Sequence, residues 1–233
     1  MSQSPHKKIY IEGNIGSGKS TFLELLSKYL HKFKDHNIDA SIVQEPVDLW
    51  LNTKDSDGEN ILEKFYKDQD KWSYAFQMNS FISRLKVIDE KIKKICHDSF
   101  DTILFIERSI YTDKNCFARL LYENGKMTQL EYDIYVNWND WLAEEFKARA
   151  DAYIYLYCDP VTNDLRIKER NRNGESDIPL DYLKKLHEKH EIWMNNEKEK
   201  NVKVFTIDAL ENFKNKQKMD EIFEKLVEFI KGL

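Results

Sequence analysis

Short apolar segments alternate along the chain with longer segments in which apolar residues recur every three or four positions. The short segments are rich in Ile, Val, Tyr and Phe, as buried parallel strands are. They predict strands at 8–12, 40–44, 102–106, 153–157 and 202–207. The longer segments predict helices at about 19–34, 59–66, 70–97, 112–123, 128–149, 160–171, 180–199 and 215–231. This alternation predicts an α/β fold with a parallel sheet covered on both faces.

Two polar segments, 52–60 and 171–177, are predicted loops, and no internal repeat or linker divides the chain. With 233 residues, 41% of them hydrophobic, we expect one globular domain over 1–233. The net charge of −5 argues against a nucleic-acid polymer as partner. No apolar run approaches the ~20 residues that span a bilayer, so no membrane association is expected.

The cysteines and the N-terminal segment indicate the cellular compartment in which we expect the protein. Cys96, Cys116 and Cys158 are odd in number and form no CxxC pair, which favours a reducing environment over a disulfide framework. Seven residues precede the first predicted strand, too few for a signal or transit peptide. We therefore expect a cytoplasmic protein.

A glycine-rich segment follows the first strand and matches G-x-x-x-x-G-K-[ST] at every fixed position. In such a loop, backbone N–H groups surround phosphate oxygens, Lys19 reaches the β- and γ-phosphates, and Ser20 can ligate Mg²⁺. The motif predicts a nucleoside triphosphate site and leaves GTPase, ATPase motor and small-molecule kinase open. The residues of the loop are Gly13, Asn14, Ile15, Gly16, Ser17, Gly18, Lys19, Ser20 and Thr21.

Two carboxylates follow predicted strands at the edge where ligands of open α/β sheets bind. Glu45 precedes Pro46 after the second strand, and Glu107 precedes Arg108 at the end of the third. Either carboxylate alone is as consistent with a surface position. Beside a phosphate loop, Glu107 is a candidate for the acid on the Mg²⁺ side.

Arg166, Arg170 and Arg172 lie within seven residues, before and at the start of the polar segment 171–177. A solvated basic surface would explain them, but the polar segment after them favours a lid that closes on phosphates.

Two helices carry polar residues at helical spacing. On helix 70–97, Gln77, Ser80 and Arg84 share a face, and taken by themselves they indicate a solvated polar face. The predicted core stripe of that helix is Met78, Phe81, Ile82, Leu85 and Ile92. His187 and His190 are spaced i, i+3, which indicates a charged surface helix rather than a zinc site.

Several segments, taken in order, resemble the deoxyribonucleoside kinase family. They are IEGNIGSGKST, VQEPVDLW, WSYAFQMNSFISRLK, FIERSIYTDKNCFARLLYENG and RIKERNRNGESDIPLDYLKKLHEKHEIW, and they span about residues 8–194. The sequences of these segments are most similar to those of deoxyguanosine and deoxycytidine kinases. The resemblance implies a P-loop kinase fold with five parallel strands, a homodimer, and ATP- and Mg²⁺-dependent phosphorylation of a deoxynucleoside 5′-hydroxyl.

The resemblance also implies a role for each matching residue. Glu45 would be the general base, and Arg108 would hold Glu45 and the 5′-oxygen in place. Glu107 would be the acid beside Mg²⁺. The sugar 3′-hydroxyl would meet Tyr66 and Glu175, and Gln77 would read the base. The other implied positions are Phe117 stacking on the base, Trp50, Leu62 and Phe76 lining the slot, Arg166, Arg170 and Arg172 in a lid at about 166–178, and Asp208 in the adenine loop 208–213.

Arg84 and Asp113 match a pair that lies beside the base edge in the family and that thymidine-preferring members lack. We therefore expect a purine deoxynucleoside as best substrate, deoxyguanosine or deoxyadenosine, with deoxycytidine possible and thymidine poor. A nucleoside monophosphate kinase remains an alternative, although near Gln77 only Arg84 could bind a substrate phosphate. A P-loop nucleotide switch is another, and it would need neither Gln77 nor Tyr66.

Overall fold

The computed structural model describes residues 6–95, 102–172, 175, 178–210, 213 and 215–233. Predictions for Cys96, for the helix end at 96–97, for lid residues 173–174 and 176–177, and for 211–212 of the adenine loop fall outside these residues.

The five predicted strands form one parallel sheet in the order β2-β3-β1-β4-β5, which confirms the α/β class. Register places Ile9 beside Phe105 on one side of β1 and beside Ala152 on the other, so β1 is the central strand. Every residue of β3 is buried. The strands are β1 (Lys7–Glu12), β2 (Asp39–Val43), β3 (Thr102–Glu107), β4 (Ala152–Tyr157) and β5 (Lys203–Asp208).

Helices occupy both faces of this sheet. They are α1 (Lys19–Ser27), α2 (Leu30–Phe33), α3 (Val47–Asn52), α4 (Ile61–Lys67), α5 (Gln69–Ile95), α6 (Ile110–Thr112), α7 (Arg119–Glu123), α8 (Gln129–Glu145), α9 (Pro160–Arg170), α10 (Leu180–Glu199) and α11 (Lys216–Lys231).

The predicted helix at 19–34 is divided into α1 and α2. The N–H groups of Lys28 and Tyr29 bond to carbonyls three residues back, which tightens the turn. Tyr29 and Phe33 then both pack on Phe223 of α11, at ring distances of 5.2 and 4.8 Å. The break therefore aims both rings at the same core residue.

The predicted helix at 112–123 begins earlier and contains a π-helical segment. Ser109 caps it by accepting a hydrogen bond from the N–H of Thr112, so α6 starts at Ile110. The π-helix Asp113–Ala118 follows and leads into α7. A π-helix changes which side chains face inward, and here it presents Asp113 and Phe117 to the same cavity.

Two further boundaries differ from prediction. Helix α8 ends at Glu145 rather than near 149, because Lys147 adopts a left-handed conformation with φ of 47° and the Ala148 N–H bonds back to Ala143. Helix α3 was not predicted. Pro46 keeps Glu45 out of a helix, as expected, but it also stands as the residue before α3 begins.

The sheet is covered by one apolar cluster on each face. Ile9 and Ile11 of β1 pack with α1 and α11, whereas Tyr10 packs with α10 and the π-helix on the other face. A third cluster joins α3, α4, α5 and α8 away from the sheet. None of the helices in the described part of the chain is both long and apolar enough to cross a bilayer.

Candidate active site

A cavity of about 550 Å³ lies at the carboxyl ends of β1, β2 and β3. It receives residues from the phosphate loop, from the strand ends and from α3, α4, α5, the π-helix and α9. The predicted site residues that line it are Ile15, Gly16, Gly18, Lys19, Ser20, Thr21, Glu45, Trp50, Leu62, Tyr66, Phe76, Gln77, Arg84, Glu107, Arg108, Asp113, Phe117, Arg166, Arg170, Arg172 and Glu175.

Four predicted residues do not line the cavity. Gly13, Asn14 and Ser17 are buried in the phosphate loop without lining the cavity, and Asp208 accepts a hydrogen bond from the Leu210 N–H at 3.0 Å. The adenine-loop residues that do line it are Leu210 and Phe213.

The phosphate loop has the backbone that its sequence predicts. Gly18, with φ of 95°, stands just before α1, so the N-terminus of that helix faces the cavity. A Cβ at Gly16 would lie 2.5 Å from the carbonyl oxygen of Asn163 in α9. Asn14 joins the loop to α10 by donating to the Leu183 carbonyl at 2.8 Å. These contacts hold the loop on three neighbouring elements.

Lys19 is folded back onto its own loop. Its Nζ donates to the carbonyls of Gly13 and Asn14 at 3.0 and 2.8 Å. Burial lowers the pKa of Lys19 to about 7, with a further contribution from the charge of Arg108. The charges of Glu45, Glu107 and Glu12 act in the opposite direction, and a bound phosphate would add to their effect.

Ser20 and Glu107 bring two oxygen ligands together beside the loop. The Ser20 hydroxyl donates to Glu107 Oε1 at 2.6 Å. No group of three His, Cys, Asp or Glu side chains suitable for a metal occurs among the described residues. One hydroxyl and one carboxylate fit Mg²⁺, which takes its other ligands from water and substrate phosphates.

Two arginines hold Glu45. Its Oε1 lies 2.9 Å from Arg84 Nη2 and 3.4 Å from Arg108 Nε, and the Glu45 side chain is 16% exposed. Burial acts to raise the pKa of Glu45, but the charges of Arg84, Arg108 and Lys19 outweigh it, so the pKa lies well below the usual range. Glu45 is therefore ionised and fixed in orientation.

Arg84 connects this carboxylate to the far end of the cavity. Its Nε donates to Asp113 Oδ2 at 2.9 Å, and its Nη2 lies 3.3 Å from the Ser80 hydroxyl. Gln77, Ser80 and Arg84 are each at most 3% exposed, so the interpretation of this face as solvated is wrong. The reason is that α5 packs against α4 and the π-helix, which cover the face. Gln77 Oε1 is buried without a hydrogen-bond partner in the described part of the chain, and its residue lines the cavity.

Aromatic rings form the walls at this end. Phe76 stacks on Phe65 at 4.6 Å and meets Trp50 edge-on at 5.5 Å, all within the third apolar cluster. Phe117 packs instead against the cluster on the sheet, and the Arg108 guanidinium lies 4.7 Å from its ring. The cavity thus lies between two apolar clusters, as a slot for a planar group requires.

The arginines at 166–172 divide into two groups. Arg166 donates to the carbonyls of Ala209 and Ser17, at 2.7 and 3.4 Å, and so ties the β5–α11 loop to the phosphate loop. Arg170 and Arg172 both pair with Glu175, the latter at 3.1 Å. Tyr66 faces the same group: burial, and then the charge of Glu175, raises its pKa.

Two buried residues near the cavity differ from the expectations from sequence: Glu12 was not identified, and His190 was predicted to lie on the surface. Glu12 is a fully buried carboxylate that bonds to Ser109 and Thr112. A carboxylate ending an apolar strand directly before the phosphate loop was the available signal. His190 is buried, not on the surface, because it lies on the inner side of α10, where its ring meets Phe117 at 6.1 Å.

A model of the deoxynucleoside kinase family matches residues 9–231, nearly the whole chain. The chain belongs to the deoxynucleoside kinase family. This kinase is 36% identical to deoxycytidine kinase of Homo sapiens, over 97% of this chain and 92% of that protein. It is 32% identical to deoxycytidine kinase 2 of Gallus gallus, over 96% and 90% of the two chains. It is also 32% identical to the mitochondrial deoxyguanosine kinase of Xenopus laevis, over 97% and 91%.

Membership confirms three predictions from the sequence: the family, the parallel α/β fold and the enzyme class. The deoxynucleoside kinase transfers a phosphoryl group from ATP to a deoxynucleoside, a reaction of nucleotide salvage.

Proposed function

We propose that this kinase phosphorylates the 5′-hydroxyl of purine deoxynucleosides, with Glu45 as general base. The observation that carries the proposal is the position of Glu45. It lies in one cavity with the phosphate loop, and Arg84 links it directly to the buried Asp113 at the base end. Donor and acceptor can therefore meet at this carboxylate.

Glu45 would orient the 5′-hydroxyl first and accept its proton late. Its low pKa makes it a weak base, which suits a loose transition state in which the hydroxyl loses its proton only as the new bond forms. Arg108, at 3.4 Å, would fix the carboxylate and the 5′-oxygen together.

Positive charge around the transferred group comes from several side chains. Lys19 would leave the loop carbonyls for the phosphate oxygens, and Arg170 and Arg172 would turn from Glu175 toward the same charge. Arg166 has a different task, since it bridges the phosphate loop and the loop that carries Leu210 and Phe213. Ser20 and Glu107 would hold Mg²⁺, which neutralises phosphate charge when bound.

The nucleoside would fill the remaining part of the cavity. Tyr66 and Glu175 would bind the sugar 3′-hydroxyl, and the unpartnered amide of Gln77 would bind the base edge. Phe117 would stack on the base opposite the walls formed by Trp50, Leu62 and Phe76. The Arg84–Asp113 pair offers donors and acceptors to an amino or keto edge and leaves little room for a 5-methyl group.

The residues near the proposed base site resemble the family pattern described above, and this resemblance favours deoxyguanosine or deoxyadenosine as the substrate. Deoxycytidine is the second candidate, because relatives that cover nearly the whole chain are deoxycytidine kinases by name. Arg84 is already held by Asp113 and Glu45, which weakens the alternative of a monophosphate kinase.

One assay tests the proposal. The protein is incubated with ATP, Mg²⁺ and each of deoxyadenosine, deoxyguanosine, deoxycytidine, thymidine and their monophosphates, and ADP formation is measured. We expect the highest kcat/KM with a purine deoxynucleoside. Turnover of monophosphates alone would contradict the function, and preference for thymidine would contradict the base assignment only.

The same proposal covers the organisation of the protein. We propose a single domain over 1–233 with a lid at about 166–178, acting in the cytoplasm as a homodimer.

The surface that supports the dimer is apolar and exposed: Trp138 and Trp141 on α8 and Ile82 on α5 are 48%, 54% and 45% exposed. Ile82 was predicted to lie in the core and does not. These two helices pack side by side, Phe81 against Tyr135, so both contribute exposed apolar surface to one region.

Light scattering of the wild type and of Trp138→Lys with Trp141→Glu tests the dimer. We expect a dimer that the double variant converts to monomers with kinase activity retained. A monomeric wild type at micromolar concentration would contradict it. Fractionation of the source cells tests the compartment, and recovery in an organelle would contradict the cytoplasmic assignment.

A further inference from the structure

Glu12 is a buried carboxylate that none of the proposed steps uses. It is the last residue of β1, it is 0% exposed, and Gly13 of the phosphate loop follows it. One carboxylate oxygen accepts a hydrogen bond from the Ser109 N–H at 2.8 Å, and the other accepts one from the Thr112 hydroxyl. Burying an ionisable carboxyl is costly, so these partners must matter to the fold or to the site.

Both partners belong to the turn that starts at Arg108. Arg108 has φ of 61°, a left-handed conformation that is strained for any residue but glycine. Such a residue keeps its conformation only where its surroundings hold it. Here the Arg108 N–H donates to the Ile11 carbonyl at 3.0 Å, and the next bonds come from Glu12. The end of β1 therefore holds the turn at three points.

The side chain that leaves this turn has few other constraints. Arg108 Nε is 3.4 Å from Glu45 Oε1, its ring contact is Phe117, and its Nη1 is buried without a hydrogen-bond partner among the described residues. Burial raises the pKa of Glu12, and the positive charge of Arg108 acts against that rise. Glu12 and Arg108 thus interact through charge as well as through the backbone.

We propose that Glu12 is a positioning residue that holds the Arg108 turn against the end of β1. Because β1 runs directly into the phosphate loop, this carboxylate sets the distance between the donor phosphates and the arginine that orients Glu45. Glu12 does not touch either substrate. The inference rests on the proposed function of Glu45 and Arg108.

A double-mutant cycle tests whether Glu12 acts through Arg108. We expect Glu12→Gln to lower kcat about tenfold or more while the KM values for ATP and nucleoside change little. In an Arg108→Met background the same substitution should cost less than about twofold, because its target is gone. Equal losses in both backgrounds would overturn the proposal.

Thr112→Val covers the case in which Glu12→Gln does not fold. It keeps the shape of Thr112 and removes one hydroxyl donor to Glu12, so the same cycle with Arg108→Met applies. Thr206→Val, at an exposed position of β5, is the matched control and should leave kcat unchanged.

The Nε–Hε NMR signal of Arg108 provides a readout that needs no turnover. The chain has seven arginines, so the signals are few, and Arg108→Lys assigns the one that disappears. We expect this signal to shift or broaden in Glu12→Gln and Thr112→Val but not in Thr206→Val. If the wild type phosphorylates no nucleoside, the proposed function fails and this signal decides the role of Glu12. An unchanged signal in both variants overturns the proposal.

Discussion

The two ends of the cavity are built in different ways: the phosphate end, at the phosphate loop, and the base end, where Trp50, Gln77 and Asp113 lie and where we propose that the base binds. At the phosphate end, consecutive residues from Gly13 to Thr21 supply the loop, the lysine and the start of α1. At the base end, Trp50, Gln77 and Asp113 come from α3, α5 and the π-helix. The first end uses mainly backbone groups, whereas the second depends on side chains that three separate elements bring together.

Glu45 lies between these two ends, and Arg84 makes it sensitive to both. The same guanidinium bonds to Asp113 at the base end and to Glu45 at 2.9 Å each. A change at the base end can therefore alter the position and charge environment of Glu45, the proposed general base. If the proposed roles hold, specificity and rate depend on one shared residue, Arg84, whereas nucleotide binding does not depend on it.

The largest effect should come from Glu45 itself. Glu45→Gln keeps the size and hydrogen bonding of the side chain but removes the base, so we expect kcat to fall by roughly 10²–10⁴. Nucleotide binding should persist, since the phosphate loop is unchanged. Steady-state kinetics of the variant test this expectation. Glu188→Gln, at an exposed position on α10, is the control. Near-normal turnover would remove Glu45 from its role.

The arginines of the proposed lid should give the next largest effect. Arg170→Ala or Arg172→Ala should lower kcat by about 10²-fold and change nucleoside KM less, because their charge is needed mainly as the phosphoryl group moves. Arg149→Ala, an exposed arginine outside the cavity, is the control. If only the nucleoside KM rose, these residues would belong to the binding surface.

A smaller effect is expected when the base end alone is rebuilt. Arg84→Met with Asp113→Ala should raise the ratio of kcat/KM for thymidine over deoxyguanosine by about tenfold or more, because it opens the slot and removes a buried polar pair. The KM for ATP should stay near the wild-type value. A large loss of ATP affinity would show that the two ends are not separate.

The pH dependence of kcat/KM measures how strongly Arg84 couples the base end of the cavity to Glu45. As the proposed base, Glu45 must be ionised; burial acts to raise its pKa, but the charges of Arg84 and Arg108 outweigh burial and keep the pKa low. Arg84→Met removes one of these charges and should raise the pKa of Glu45, so the acid limb of kcat/KM moves to higher pH. In deoxyguanosine kinetics from pH 4 to 8, the wild type should show no acid limb from Glu45, whereas Arg84→Met should show one entering the range from below. The same acid limb in both proteins would mean that another group controls it.

The smallest effect concerns protons at the phosphate end. With a pKa of about 7, Lys19 is largely neutral at pH 8, and bound phosphate should raise that pKa. ATP binding at pH 8 should then take up most of one proton, and less at pH 6. Calorimetry in two buffers with different ionisation enthalpies measures this uptake. Lys19→Arg should abolish it, since arginine stays charged. No uptake in the wild type would contradict the lowered pKa.

The sequence determined most of the fold and the phosphate end. The strands and the loop depend on local patterns, alternating or continuous apolar residues and glycines at fixed spacing, and these patterns can be identified without knowing what packs on them. The predicted helix boundaries differ from the structure where a backbone conformation decides them, as at Lys147 and in the π-helix. Resemblance to a family extended the list of candidate residues to the base end.

Tertiary structure alone decided how the base end is connected. By itself, the face of α5 with Gln77, Ser80 and Arg84 looks like any solvated polar face. It is buried because other parts of the chain, α4, the π-helix and Glu45 among them, pack against α5. Likewise, nothing in the sequence places Arg84 on Glu45, 39 positions away, or Glu12 on Thr112, 100 positions away. Such contacts arise when strand ends meet at one edge of the sheet, and a local pattern carries no information about which side chains meet there.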